Sequence, residues 1–287
     1  MEIIMSETGV ISVAGFNLRY QIEGSGLPAI VVGSSLYYPR TFSQNLRQHF
    51  RFVFMDHRGF VAPPEGADNS AFELDALIDD IEQVRKALNL DKIAIIGHSG
   101  HAYMALEYAK KYPQNVSQVI LIAFGPNHSQ TSHQAAEQYW QDSVCPERKL
   151  ALEESLKSLE EELQAAPDKR FITFALKFGP KSWYDYHFDT SSLWKDIRVN
   201  MQMFDYVWGN VFANIDVTKG LENLDKPVFM ALGQYDFLVA PFYTWNPIRS
   251  KFKNLTMRIF ERSSHAPQFE EPESFDRELL QWIAQCS

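Results

Sequence analysis

Cysteine is almost missing: only Cys145 and Cys286 occur in 287 residues, so neither a disulfide framework nor a thiolate metal cluster organises the chain. Long apolar runs are missing too. The longest is Val119–Phe124, far below the roughly 18–20 residues that cross a bilayer. Basic charge is in deficit, with 27 Lys and Arg against 36 Asp and Glu and a net charge of −9. That is the wrong sign for a surface that neutralises phosphates. The N-terminal stretch Met1-Glu-Ile-Ile-Met5-Ser-Glu7 carries acids where a signal peptide carries lysines. No His-Glu-Xaa-Xaa-His spacing, internal repeat or low-complexity tract is present. The expectation is a cytoplasmic protein with no nucleic-acid or membrane partner, no metal and no cofactor; the sequence leaves its oligomeric state open.

What is there fits one large α/β unit carrying an insertion, since 45% hydrophobic residues over this length can bury a sizeable core. Val10–Val13 and Asn17–Ile22 read as an antiparallel pair turning at Gly15. Ala29–Val32, Arg51–Met55, Lys92–Ile96 and Val116–Phe124 are short β-branched-rich runs typical of strands buried on both faces. Between them Ser70 and Glu73 have capping-box spacing, ahead of Leu74, Leu77, Ile78, Ile81, Val84 and Leu88 at helical steps. Strand–helix alternation implies a mostly parallel central sheet with helices on both faces. The strand pattern stops at about residue 127. Helical stretches follow within Glu147–Gln164 and Ser191–Val211, and strands resume at Pro227–Leu232 and Leu255–Phe260, closed by a helix over Ser274–Ile283. The expected division is a core of residues 1–126 and 225–287 with a helical cap, 127–224, inserted in it.

The chemically informative segment is Lys92-Ile-Ala-Ile-Ile-Gly97-His98-Ser99-Gly100-His101-Ala102. A strand runs into a tight Gly-Xaa-Ser-Xaa turn and a helix follows at once, ending at Lys110-Lys111-Tyr112-Pro113. Such a turn projects the serine hydroxyl from the sheet, beside helix amides able to bind developing negative charge. A serine hydroxyl is a weak nucleophile that needs a base, and the base needs an orienting acid. Asp236 and His265 each follow a predicted strand, in the chain order Ser, Asp, His that this arrangement expects. Asp56-His57 also follows a strand, but Arg58-Gly59 makes that segment a structural turn, and His98 is expected to pack beneath Ser99.

With strand, elbow, acid and histidine in place, the chain resembles the α/β-hydrolase superfamily. The segments Asp56-His57-Arg58-Gly59 and Ser-Ser-His265-Ala-Pro-Gln-Phe-Glu-Glu-Pro resemble its proline-iminopeptidase-like branch. The resemblance implies Ser99 as nucleophile, His265 as base and Asp236 as orienter, with no cofactor. It places the oxyanion loop at Val32-Gly33-Ser34-Ser35-Leu36, with the Ser35 and Gly100 amides as donors. Three features depart from the family pattern: the loop lacks the family's proline and its His-Gly, with Gly33 for the histidine and Ser34 for the glycine; His101 stands for a small residue; and Val61 stands for a glycine. Ser34, His101, Trp183, Tyr186, Phe204 and Trp208 are the candidate substrate contacts. The expected substrate is a small-molecule ester with a hydrophobic group, which needs no buried acid to receive it. A short peptide, as for an aminopeptidase, is the alternative, and would need buried acids such as Asp185, Asp189 or Asp205 for its ammonium. A non-hydrolytic small-molecule binding protein on the same fold is the second alternative.

Overall fold

The computed structural model describes residues 6–286; Met1–Met5, whose acidic character entered the reading above, lie outside the described residues. Eight strands form one sheet: β1 (Glu7–Val13), β2 (Phe16–Glu23), β3 (Leu27–Gly33), β4 (Phe50–Asp56), β5 (Ile93–His98), β6 (Val116–Ile122), β7 (Val228–Gly233) and β8 (Leu255–Phe260). Their spatial order is β1-β2-β4-β3-β5-β6-β7-β8. The β1–β2 hairpin and the β2–β4 pair are antiparallel, and every pairing from β4 to β8 is parallel. The central strands are sandwiched by helices, so Ile30, Val31, Ile95, Ile96, Ile120 and Leu121 are all fully buried. That two-sided burial is why these strands read as unbroken apolar runs.

Helices α1 (Leu74–Ala87) and α2 (Gly100–Lys111) pack on the sheet and on each other. Leu77, Ile78, Ile81 and Val84 form the buried stripe of α1. The stretch from β6 to β7 contains α3 (Gln130–Ser143), α4 (Pro146–Leu156), α5 (Leu159–Ala165), α6 (Arg170–Lys177), α7 (Gly179–Ser182) and α8 (Met201–Tyr206), with no strand among its residues. After β8 come α9 (Pro267–Glu270) and α10 (Pro272–Gln285).

Three local expectations fail for identifiable reasons. The Ser70–Glu73 capping box does not form: the Asp68 carboxylate takes both the Ser70 amide, at 2.9 Å, and the Ser70 hydroxyl, and α1 starts only at Leu74. The single helix expected over Glu147–Gln164 is broken at Lys157–Ser158 into α4 and α5. The helix expected over Ser191–Val211 is a short 3-10 turn, an irregular stretch, then α8 and a π-type turn. Asn200 restarts the helix by capping the Met203 amide, while its own amide is held by the Gly59 carbonyl at 2.7 Å.

One buried ion pair fixes the turn after β4. Arg58 donates from Nε and Nη2 to the two carboxylate oxygens of Asp80 on α1, both at 2.6 Å, and lies over the Phe16 ring. Removing one partner of such a pair strands a buried charge. Asp80→Ala is expected to lower unfolding free energy by about 3–5 kcal/mol, read from urea denaturation followed by far-UV circular dichroism.

Candidate active site

Ser99 sits between β5 and α2 with φ 56° and ψ −132°, a left-handed conformation that side chains other than glycine rarely adopt. Its amide donates to the Ile122 carbonyl of β6 at 2.8 Å. The helix folds back tightly onto the strand: a Cβ at Gly97 would lie 2.3 Å from the His101 carbonyl oxygen and 2.6 Å from Ala102 Cα. Only glycine permits that approach, and it turns the Ser99 side chain out at the carboxyl edge of the sheet, where ligands of open α/β sheets gather.

Asp236 and His265 reach the same edge from the ends of β7 and β8. His265 Nδ1 donates to Asp236 Oδ2 at 2.7 Å, with both side chains about nine-tenths buried. The other oxygen of Asp236 accepts the Leu238 amide at 3.0 Å. With Nδ1–H committed to the carboxylate, the lone pair of His265 resides on Nε2. His265 and Ser99 line one common cavity of about 280 Å³. The His265 main chain is itself gripped: its amide donates to the Ser182 carbonyl at 2.9 Å, and its carbonyl accepts from His98 Nε2 at 2.6 Å. His98 also lines the cavity, with that carbonyl as its Nε2 partner.

The cavity wall is aromatic. Helix α6 and the residue after it contribute Phe171, Phe174, Ala175 and Phe178 at helical steps, joined by Trp183, Trp194 and Trp208. Of the expected contacts, Ser34, His101, Trp183 and Trp208 are on this wall. Tyr186 and Phe204 are not. Tyr186 lies under the Arg148 guanidinium, 4.7 Å from it, and Phe204 stacks behind Trp208 at 4.5 Å. His128, held near 4 by burial, also lines the cavity.

In the segment expected to be the oxyanion loop, Ser35 departs from expectation. Its amide donates to the buried Asp56 carboxylate at 2.7 Å, and it is Ser34, one residue earlier, that lines the cavity. Gly100 opens α2 directly after Ser99, packed so closely under Trp208 that a Cβ would lie 2.5 Å from the indole. Gly33, at φ 146°, has no room for the family's histidine: a Cβ there would come within 2.1 Å of the Tyr38 ring and 3.2 Å of His101. Two of the sequence departures are therefore one: Tyr38 and His101 fill the space that a side chain at position 33 would take.

A mostly parallel sheet with a serine on a strained strand–helix turn, and an imidazole–carboxylate pair facing the same cavity, defines an α/β-hydrolase fold. The sequence comparisons agree. The family described as alpha/beta hydrolase fold matches residues 25–144. The AB hydrolase superfamily protein YclE of Bacillus subtilis (strain 168) is 38% identical over 98% of this chain and 100% of its own length. A proline iminopeptidase of Heyndrickxia coagulans is 25% identical over 94% of this chain and 96% of its own. The crystal structure of a proline iminopeptidase from Mycobacterium smegmatis superposes with a TM-score of 0.71 at 15% identity, covering 98% of each chain. The chain belongs to the α/β-hydrolase superfamily.

Glu270 is the residue that sequence reading missed; it lay inside a recognised segment but was given no role. One oxygen accepts the Tyr184 amide at 2.6 Å, and the other accepts the Ala266 amide at 2.9 Å and the Ser264 amide at 3.1 Å. It thereby ties the His265 loop to the helical insertion. Burial pushes its carboxyl up to about 7, against the pull of those amides. A carboxyl raised in the folded state favours folding while protonated, so this contribution is complete below its ordinary value of 4.5 and is lost as pH rises through about 7. Stability from urea unfolding is expected to fall between pH 5 and pH 8. Glu270→Gln should show a flatter slope from a lower baseline, because its NH2 group faces amide donors.

Proposed function

We propose that the protein is a serine hydrolase of uncharged carboxylic esters with a hydrophobic acyl or alkyl group, the insertion 127–224 serving as the cap that encloses them. The observation that carries the ester preference is the charge of the cavity wall: among the described residues it holds no Asp, Glu, Lys or Arg. An aminopeptidase must offset a substrate ammonium, and the candidate acids are engaged elsewhere. Asp185 caps the His187 amide, Asp189 caps the Ser191 amide, and Asp205 pairs with Arg170. An ester asks only for apolar enclosure and a few oriented polar groups.

In this reading His265 Nε2 takes the Ser99 hydroxyl proton as Oγ attacks the ester carbonyl carbon. Asp236 holds the imidazole in the tautomer with Nδ1–H and stabilises the imidazolium that forms. The oxyanion is received at the start of α2 by the Gly100 amide, with the Ser34 amide as second donor in place of Ser35; losing one such donor costs about 3–4 kcal/mol of transition-state stabilisation in comparable sites. The imidazolium then protonates the leaving alkoxide. Water, deprotonated by His265, releases the acid and restores Ser99. No cofactor enters these steps.

Two measurements test this. Purified protein is expected to hydrolyse p-nitrophenyl butyrate with a higher kcat/KM than proline p-nitroanilide, and the reverse order would replace the ester reading with an aminopeptidase. Ser99→Ala should lower ester turnover by about a thousandfold or more and abolish labelling by a fluorophosphonate probe. A wild-type protein that folds yet resists the probe would point to binding without hydrolysis.

A further inference from the structure

Beside the Ser99 turn lie four buried polar rings that the proposed reaction does not use: His57, His101, Tyr38 and His98. They form one unbroken hydrogen-bonded chain. The Gly59 amide donates to His57 Nδ1 at 2.8 Å; the Nε2 atoms of His57 and His101 are 2.8 Å apart; His101 Nδ1 is 2.8 Å from the Tyr38 hydroxyl; that hydroxyl is 3.2 Å from His98 Nδ1; and His98 Nε2 meets the His265 carbonyl at 2.6 Å.

The two ends fix every proton between them. A backbone amide only donates, so His57 Nδ1 is bare and its Nε2–H donates to His101 Nε2. His101 must then donate from Nδ1 to the Tyr38 oxygen, Tyr38 to His98 Nδ1, and His98 Nε2–H to the carbonyl, which only accepts. Counting from the carbonyl end gives the same assignment. The chain is satisfied in one direction only and cannot reverse. Burial keeps all three imidazoles neutral, pushing His57 and His98 down to about 3 and His101 well below its ordinary value, so none becomes a competing cation beside an imidazolium at position 265.

Taking the serine-hydrolase reading as its premise, we propose that Tyr38, His57, His98 and His101 form a one-way clamp of positioning residues. The clamp fixes the His265 main chain against the Ser99 elbow and the turn after β4. His101, on α2 two residues from the nucleophile, couples the elbow to the clamp. Tyr38, from the loop after β3, bridges it to His98. The Tyr38 and His101 rings of the clamp fill the space beside Gly33, where a Cβ would lie 2.1 Å from Tyr38 and 3.2 Å from His101.

The test uses the full chain, p-nitrophenyl butyrate and a fluorophosphonate probe. Tyr38→Phe keeps the ring and removes the one hydroxyl that joins the halves. It is expected to lower kcat and the labelling rate about tenfold, with KM within twofold of wild type. His98→Leu should behave alike, whereas His98→Gln, whose side-chain N–H can still reach the His265 carbonyl, should stay within threefold of wild-type kcat. Wild-type kcat in both Tyr38→Phe and His98→Leu overturns the clamp, as does a change confined to KM or a Gln variant no better than the Leu variant. A wild-type protein that neither labels nor turns over ester overturns the nucleophile reading and the clamp with it. That failure is visible without any variant.

Discussion

The contact that the rest of the site depends on is the close seating of α2 on β5 over Gly97. Ser99 is held in a backbone conformation that costs about 1–3 kcal/mol, and it stays there because the elements on both sides over-determine it. Strand β5 is buried between β3 and β6, the Ser99 amide is fixed to Ile122, and the His101 carbonyl leaves no space for a side chain at position 97. A serine in relaxed extended backbone would continue the strand and direct its hydroxyl into a neighbour. The strain is thus stored at Ser99, beside the cavity, and is borne by the core of the sheet.

Around that turn the carboxyl-end loops are tied to one another more than to solvent. The Ser264 hydroxyl donates to the Tyr235 carbonyl, the Tyr235 amide donates to Ser263, and Asp236 receives His265 between them. On the other side, Asp56 takes the Ser35 amide and the Arg19 guanidinium, and the His57 amide is bound to the Gly33 carbonyl. Burial raises the Asp56 carboxyl while Arg19 and the Ser35 amide oppose the shift. The result is a site preorganised by protein dipoles, which act most strongly where water is excluded.

Much of this was legible in the sequence because it rests on patterns of local or one-dimensional origin. β-Branched runs mark strands covered on both faces, the Gly-Xaa-Ser spacing marks a turn, and the order Ser99, Asp236, His265 marks strand ends on one edge of a parallel sheet. What failed depends on direction. Counting along Val32–Leu36 assigns amides by position, yet it cannot say that the Ser35 amide turns toward Asp56. Composition shows an aromatic-rich insertion, but not that Arg148 claims Tyr186 or that Phe204 stands behind Trp208. Ser70 lost its capping role to a nearer carboxylate, Asp68. Glu270 gave no signal as a lone acid in a charged stretch, since its importance comes from three amides that converge only after folding.

The insertion is fastened at a telling place. The Lys181 carbonyl accepts the Phe237 amide, the Ser182 carbonyl accepts the His265 amide, and the Tyr184 amide is taken by Glu270. Residues 181–184 are therefore a keystone and not a door, for swinging them away would break the bonds that hold the Asp236 and His265 loops. The rim is where the cavity meets solvent: Phe174 and Leu238 line it and are each 41% exposed. Exchanging the side chains that α6 presents would reshape the cavity wall with the masonry left standing.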